Sequence, residues 1–233
     1  MISVIIPAYN EAGPLPATVA ALRGLPEVDE IVVVDDGSTD ETAAVAEGLG
    51  CRVVRLVRNR GKGKALTAGV RAAKGDVLVF LDADLGASAA EARRLLAPLL
   101  AGEADMVIGR FPEAQRPGGL GMVKALARAG VRWLGGLAVA APLSGQRAIR
   151  RTVLEAVGDL AGGFGVEVGL TIDAARAGFR VMEVPVAMRH RETGRDVAGF
   201  LHRGRQLVHV AGALARRAAR RIAQRVANRT PLR

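Results

Sequence analysis

Short apolar runs at Ile2–Ile6, Glu30–Val34, Arg52–Val57 and Val77–Leu81 alternate with stretches of helical character, about Leu15–Leu22 and Ala65–Ala73 among them. Strands spaced this far apart cannot close as tight hairpins, and a crossover helix between successive strands makes them parallel. The pattern therefore predicts an α/β fold, a Rossmann-like doubly wound sheet, mostly parallel. In such sheets ligands gather beyond the carboxyl ends of the strands. Here those ends carry, in order, Asn10 and Glu11, Asp35 and Asp36, Asn59 and Lys62, then Asp82 and Asp84. Helix capping explains one acid per loop, with Ser38 or Thr39 as the expected cap of the second helix. It does not explain an acidic pair, a D-x-D and lysines between them, and a shared ligand site does.

The second half is less regular. Asp105–Arg110 and Phe179–Met188 read as strands, Arg151–Val157 and about Val166–Ala177 as helices, and Phe111–Met122 as a Pro/Gly loop. Residues 1–110 form a first half, 111–197 a smaller second half, and 198–233 a helical basic tail. From Arg189 to Arg233 there are twelve arginines and two acids, so this stretch carries the whole +10 of the 233-residue chain. A neutral body with a basic end argues against a nucleic-acid binder, whose positive surface belongs to the body. Aromatics at 3% leave no base-stacking platform, and a single cysteine excludes disulfides and Cys-rich zinc sites. The N-terminus has no basic leader and no stretch reaches the length of a spanning helix, so a cytoplasmic protein is expected.

Chemistry concentrates in few residues. Asp82 and Asp84 stand at i and i+2 after an apolar strand, where two carboxylates can share a hard cation such as Mg²⁺ or Mn²⁺ whose remaining ligands come from phosphate and water. Asp35 and Asp36 can accept hydrogen bonds from a base or ribose, or simply cap a turn. The loop Asn59–Lys64 is no Walker loop, since no Ser or Thr follows its lysine in register, yet its glycines and lysines suit a phosphate. His190, flanked by Arg189 and Arg191, either completes a metal shell or touches phosphate, or is an ordinary surface histidine.

In their order, "SVIIPAYNE", "VVVDDGSTD", "NRGKGKALTAG", "GDVLVFLDADL", "LSGQRAIRR" and "GFGVEVGLTID" resemble the family 2 glycosyltransferases of GT-A fold over about residues 2–210. The resemblance implies a nucleoside-diphosphate sugar donor (UDP- or GDP-linked), a divalent metal and transfer to an acceptor hydroxyl. It assigns Pro7, Tyr9 and Glu11 to base and ribose, Asp35 and Asp36 to the nucleoside, and Lys62 to the nucleotide. Asp82 and Asp84 become the metal- and ribose-binding D-x-D, with Asp84 the better direct ligand and a residue on which turnover depends. Two branches compete. Polyprenyl-phosphate sugar synthases share Ser144, Gly145 and Arg150 as a Ser-Gly-x-x-x-x-Arg pattern. The glucosyl-3-phosphoglycerate synthase branch is similar in "PLSGQ", although Gln146 replaces its usual acid, in "GFGVEVGLTID", and in "RHR" around His190, where a histidine completes the metal shell. A phosphate-bearing acceptor is then expected at Ser144, Gly145, Arg150, Arg189 and Arg191. An inverting transfer needs a carboxylate base, for which Glu167 and Asp173 are the candidates; a retaining one does not.

In the tail, Leu207, Val210, Leu214, Ile222 and Val226 recur at helical spacing among arginines. Such a helix either lies on an anionic membrane or packs on the body as a solvated Arg-rich helix. A nucleotidyltransferase and a non-catalytic nucleotide-sugar binder remain as other classes, and a homodimer is compatible with all of them.

Overall fold

The computed structural model describes residues 1–111, 121–158, 160, 165–189 and 207–219. Seven strands form one sheet: β1 (Ile2–Ala8), β2 (Glu30–Asp35), β3 (Arg52–Arg55), β4 (Val77–Phe80), β5 (Met106–Arg110), β6 (Arg147–Arg150) and β7 (Val181–Pro185), in the order β3-β2-β1-β4-β6-β5-β7. β1 and β4 are apolar on both faces, as central parallel strands covered by helices must be. Ile2, Val4 and Ile6 of β1 join one core cluster with helices α1 (Leu15–Arg23) and α4 (Ala92–Leu100). Ile5 joins the other, with α3 (Lys62–Ala72), α6 (Arg151–Val157) and α7 (Val166–Arg176). Side chains alternating across the pleat thus feed two layers. α2 (Thr42–Gly48) covers the β2–β3 end, and a 3-10 turn at Gly86–Glu91 follows β4.

Two sequence expectations need correction, and one strand joins those the pattern predicts: "RAIR" forms β6, antiparallel to both β4 and β5, so the sheet is mixed at its centre. α3 begins at Lys62 instead of Ala65, because Gly61 with φ 84° ends the loop and frees the next residue to be helical. Neither Ser38 nor Thr39 caps α2; Asp40 Oδ1 instead accepts from the Thr42 backbone N–H at 3.0 Å.

A third layer lies outside α7. Helix α5 (Gly121–Gly135) and a helix over residues 207–219, α8, share a cluster with the outer face of α7 through Val123, Ala127, Val131, Val168, Ile172 and Val210. Glycines permit the close approach. A methyl on Gly165 would lie 2.7 Å from Ala213 Cβ, and one on Gly130 would lie 2.3 Å from Leu214. This described part of the tail packs on the body. Its Arg217 is buried, donates from Nε to both carboxylate oxygens of Asp173 at 2.9 Å, and packs over Gly169.

Candidate active site

The carboxyl ends of β2, β1 and β4 lie side by side, and the antiparallel β6 brings its amino end to the same edge, Arg147 pairing with Phe80. Pro7, Tyr9, Glu11, Asp35, Asp36, Asp82, Asp84, Ser144 and Gly145 therefore all flank one rim.

On the β1–β2 side the loops brace each other. Asn10, in the left-handed region at φ 57°, accepts on Oδ1 from the Thr39 N–H at 2.8 Å, and its own N–H donates to Ser38 Oγ at 3.0 Å. The Glu11 N–H donates to Thr42 Oγ1 at 2.9 Å, while the Tyr9 ring is left 45% exposed. Asp35 Oδ1 accepts from the Ser38 N–H at 2.9 Å, which is the turn role anticipated for one member of the pair. Asp36 does something different. Its two oxygens accept from the Arg60 and Gly61 N–H groups, each at 2.8 Å, and so hold the glycine- and lysine-rich loop against the end of β2. Gly37 (φ 75°) has no room for a side chain, since a methyl there would lie 2.5 Å from the Arg58 backbone.

That restraint sets the start of α3, and Lys62 in its first turn reaches the D-x-D. Lys62 Nζ donates to Asp82 Oδ1 at 2.6 Å and stands 3.5 Å from Glu167 Oε1 in the first turn of α7. Burial of the ammonium works against its charge, but Asp82 and Glu167 outweigh it and hold the lysine protonated well above its ordinary range. Gly145 provides the space: a methyl there would lie 2.3 Å from Lys62 Nζ. Gln146, fully buried, grips Asp82 at two points. Its Oε1 accepts from the Asp82 N–H at 3.0 Å and its Nε2 donates to Asp82 Oδ2 at 2.6 Å. Both Asp82 oxygens are therefore engaged by donors, which fixes this carboxylate beside Asp84 at the rim.

Behind this group lies Arg147, 1% exposed. It donates to Ser144 O at 2.9 Å, Pro142 O at 3.2 Å and Thr171 Oγ1 at 2.8 Å, so the 142–146 segment is tied to α7. Burial lowers its pKa to about 10, opposed by Glu167 and Glu183, and it stays charged at neutral pH. Glu183 of β7 accepts from the Ala140 and Ala141 N–H groups at 2.8 and 2.6 Å. In the sequence Gln146 stands out only as a departure from the usual acid of "PLSGQ", and Arg147 and Glu183 carry no signal, because a lone charge near a short strand has no characteristic spacing.

Two expected site residues lie elsewhere. Arg150 pairs with Val77 at the far end of β6, about 10 Å down the strand from Arg147. There it donates to Leu99 O at 2.6 Å and approaches Asp105 at 3.7 Å. Asp173 is committed to Arg217 as described, a packing role between α7 and α8 that takes it away from base catalysis. Arg189 is exposed, and its N–H donates to Ser88 Oγ at 3.1 Å just beyond the D-x-D. His190 and Arg191 lie outside the described residues. Among the described residues no group of three or more His, Cys, Asp or Glu side chains is placed to hold a metal. The donor set nonetheless fits a hard cation, because Mg²⁺ and Mn²⁺ accept one or two carboxylates and complete their shells with phosphate and water. No helix among the described residues is long and apolar enough to cross a membrane.

The model of the glycosyl transferase family 2 matches residues 3–158. Glucosyl-3-phosphoglycerate synthase of Mycobacterium tuberculosis is 34% identical, covering 87% of this chain and 70% of that protein. Undecaprenyl-phosphate mannosyltransferase of Micrococcus luteus is also 34% identical, covering 82% of this chain and 85% of that protein. The crystal structure of the Mycobacterium tuberculosis synthase in complex with Mn²⁺, UDP and phosphoglyceric acid superposes with a TM-score of 0.78 at 33% identity, covering 93% of this chain and 78% of that one.

Proposed function

Because the chain belongs to glycosyl transferase family 2, we propose that it moves a sugar from a nucleoside-diphosphate donor to a phosphate-bearing acceptor with the help of Mg²⁺ or Mn²⁺. The observation that carries this reading is the Lys62–Asp82–Gln146 network beside Asp84, at the strand ends where a diphosphate belongs. Asp36 shapes the loop that faces the donor, and Tyr9 offers an exposed ring for the base. Lys62 supplies a fixed positive charge close to the departing diphosphate, where preorganised charge lowers the barrier most. Asp84 and His190 would hold the cation, which would supply charge neutralisation for the departing diphosphate. Gly145, Ser144 and Arg189 border the acceptor side. Glu167 is the one proposed base carboxylate that faces the group, through Lys62.

Phosphoglycerate is the acceptor of choice, following the Mycobacterium tuberculosis relative, whose structure holds phosphoglyceric acid. A polyprenyl phosphate is the second reading, favoured by the near full-length likeness to the Micrococcus luteus mannosyltransferase. The test is UDP or GDP release from a panel of nucleotide-sugars with Mn²⁺, offered phosphoglycerate or a short-chain polyprenyl phosphate. Pyrophosphate release from a nucleoside triphosphate would point to nucleotidyl transfer instead. Asp84→Ala is expected to fold and bind neither metal nor UDP tightly; sugar transfer at the wild-type rate in that variant removes the D-x-D from the mechanism.

A further inference from the structure

Helix α5 has two apolar faces. Val123, Ala127, Val131 and Leu134 point into the third cluster. On the other side Met122, Leu126 and Trp133 are 77%, 37% and 64% exposed, with exposed Ala129 between them. At 3.6 residues per turn these four positions fall on a single stripe. Apolar side chains scattered singly over a surface are ordinary, whereas an aligned set marks a contact site.

Charge accompanies the stripe. Lys124, Arg128 and Arg132 repeat at every fourth position on the arc between the buried face and the stripe, Arg132 nearest the stripe, and α5 contains no acid. Arg128 donates to Ala140 O at 3.0 and 2.7 Å, which holds its charge at the helix side. Helix α8 packs against α5 through Gly130, and residues 207–219 also lack any acid.

We propose that this outward face of α5 docks on an anionic lipid membrane. The headgroup boundary of a bilayer offers an apolar layer beneath a negatively charged one, the order in which the stripe and its basic flank are arranged. An indole ring suits that boundary, being apolar with one hydrogen-bonding edge. An acidic protein surface would answer the arginines alone. Membrane contact thereby moves from the far tail to a helix of the body, and it stands apart from the identity of donor and acceptor.

Trp133 is the only tryptophan in the chain, so its emission reports on this face directly. The full chain should pellet with phosphatidylcholine vesicles containing phosphatidylglycerol, and far less with phosphatidylcholine alone or in high salt. Trp133 emission should shift to the blue and be quenched by brominated lipid. Met122→Glu with Leu126→Glu, checked by circular dichroism for an unchanged fold, should abolish both. Neutralising Lys124, Arg128 and Arg132 together should weaken partitioning on the order of a hundredfold, at about 1 kcal/mol per charge. The proposal is overturned by failure to pellet with anionic vesicles, or by pelleting that leaves Trp133 emission unchanged. Lipid-free, concentration-dependent shielding of Trp133 would also overturn it, since a second copy would then cover the face.

Discussion

Alanine at Gly169 should reverse its effect on stability according to what stands at position 217. Within a helix Gly→Ala ordinarily stabilises by about 1 kcal/mol, since glycine loses more backbone freedom on folding. At Gly169 the new methyl would lie 2.5, 2.6 and 2.7 Å from three guanidinium atoms of Arg217, inside the roughly 3.5 Å at which carbon contacts become favourable. Arg217 can retreat, but only by abandoning Asp173. Its side chain is 11% exposed and that of Asp173 23%, and separating a hydrogen-bonded charge pair in such surroundings costs about 2–4 kcal/mol. Gly169→Ala should therefore destabilise by roughly 1–3 kcal/mol, the difference between those two effects. In an Arg217→Ala background the three nearest obstacles are gone, and the same substitution should stabilise by up to about 1 kcal/mol. Urea unfolding of the four proteins closes the cycle, with a coupling of about 2–4 kcal/mol. If Gly169→Ala stabilises equally in both backgrounds, Arg217 does not occupy the surface of α7 and the docking of α8 is misassigned.

Gly145→Ala should push Lys62 off Asp82 and weaken UDP binding with Mn²⁺ by about 10- to 100-fold, the worth of a charge-assisted hydrogen bond; calorimetry in a Lys62→Met background should show no further loss. Gln146→Leu takes the amide partner from the Asp82 N–H and from Oδ2, so stability should drop by about 1–3 kcal/mol and UDP affinity should fall with it. Asp105, whose carboxyl is held below the usual range chiefly by hydrogen bonding to Arg180, contributes stability that is full above its unfolded pKa and disappears as pH falls through the folded one. Asp105→Asn should therefore lower the thermal midpoint at pH 7, and the gap to wild type should narrow below about pH 4.

The first half of the chain is legible because its signals are dense. β1, β2 and β4 are rich in Val, Ile and Leu, and the acids at their ends stand where the parallel topology must put them. The other side of the rim was hidden for physical reasons. β6 is four residues with arginine at both ends, and nothing in "RAIR" tells a central strand from a loop; its core position follows from pairing with β4 and β5. Arg150 stands where the resemblance to the polyprenyl-phosphate branch implies a phosphate ligand, yet an extended strand carries it to the opposite edge of the sheet. Gln146 is an unremarkable residue until its two amide groups meet Asp82. Arg217, within an arginine run that reads as a solvated face, is buried only because Gly169 leaves a place for it.

The reversed strand at the centre of the sheet also orders events during synthesis. β1 to β4 are complete by Phe80 and pair with one another, with only the outer edge of β4 waiting for β6, so they can close as a unit before β5 and β6 are made. β5, made next, has no seat on that unit, because β6 lies between it and β4. Until Arg147–Arg150 emerges, the nascent chain therefore holds an open β4 edge and an apolar strand with nowhere to add. Such edges invite pairing with other chains. The short segment beginning at Arg147 is thus a keystone in time as well as in space: its arrival closes the sheet and, in the same movement, draws Gln146 onto Asp82.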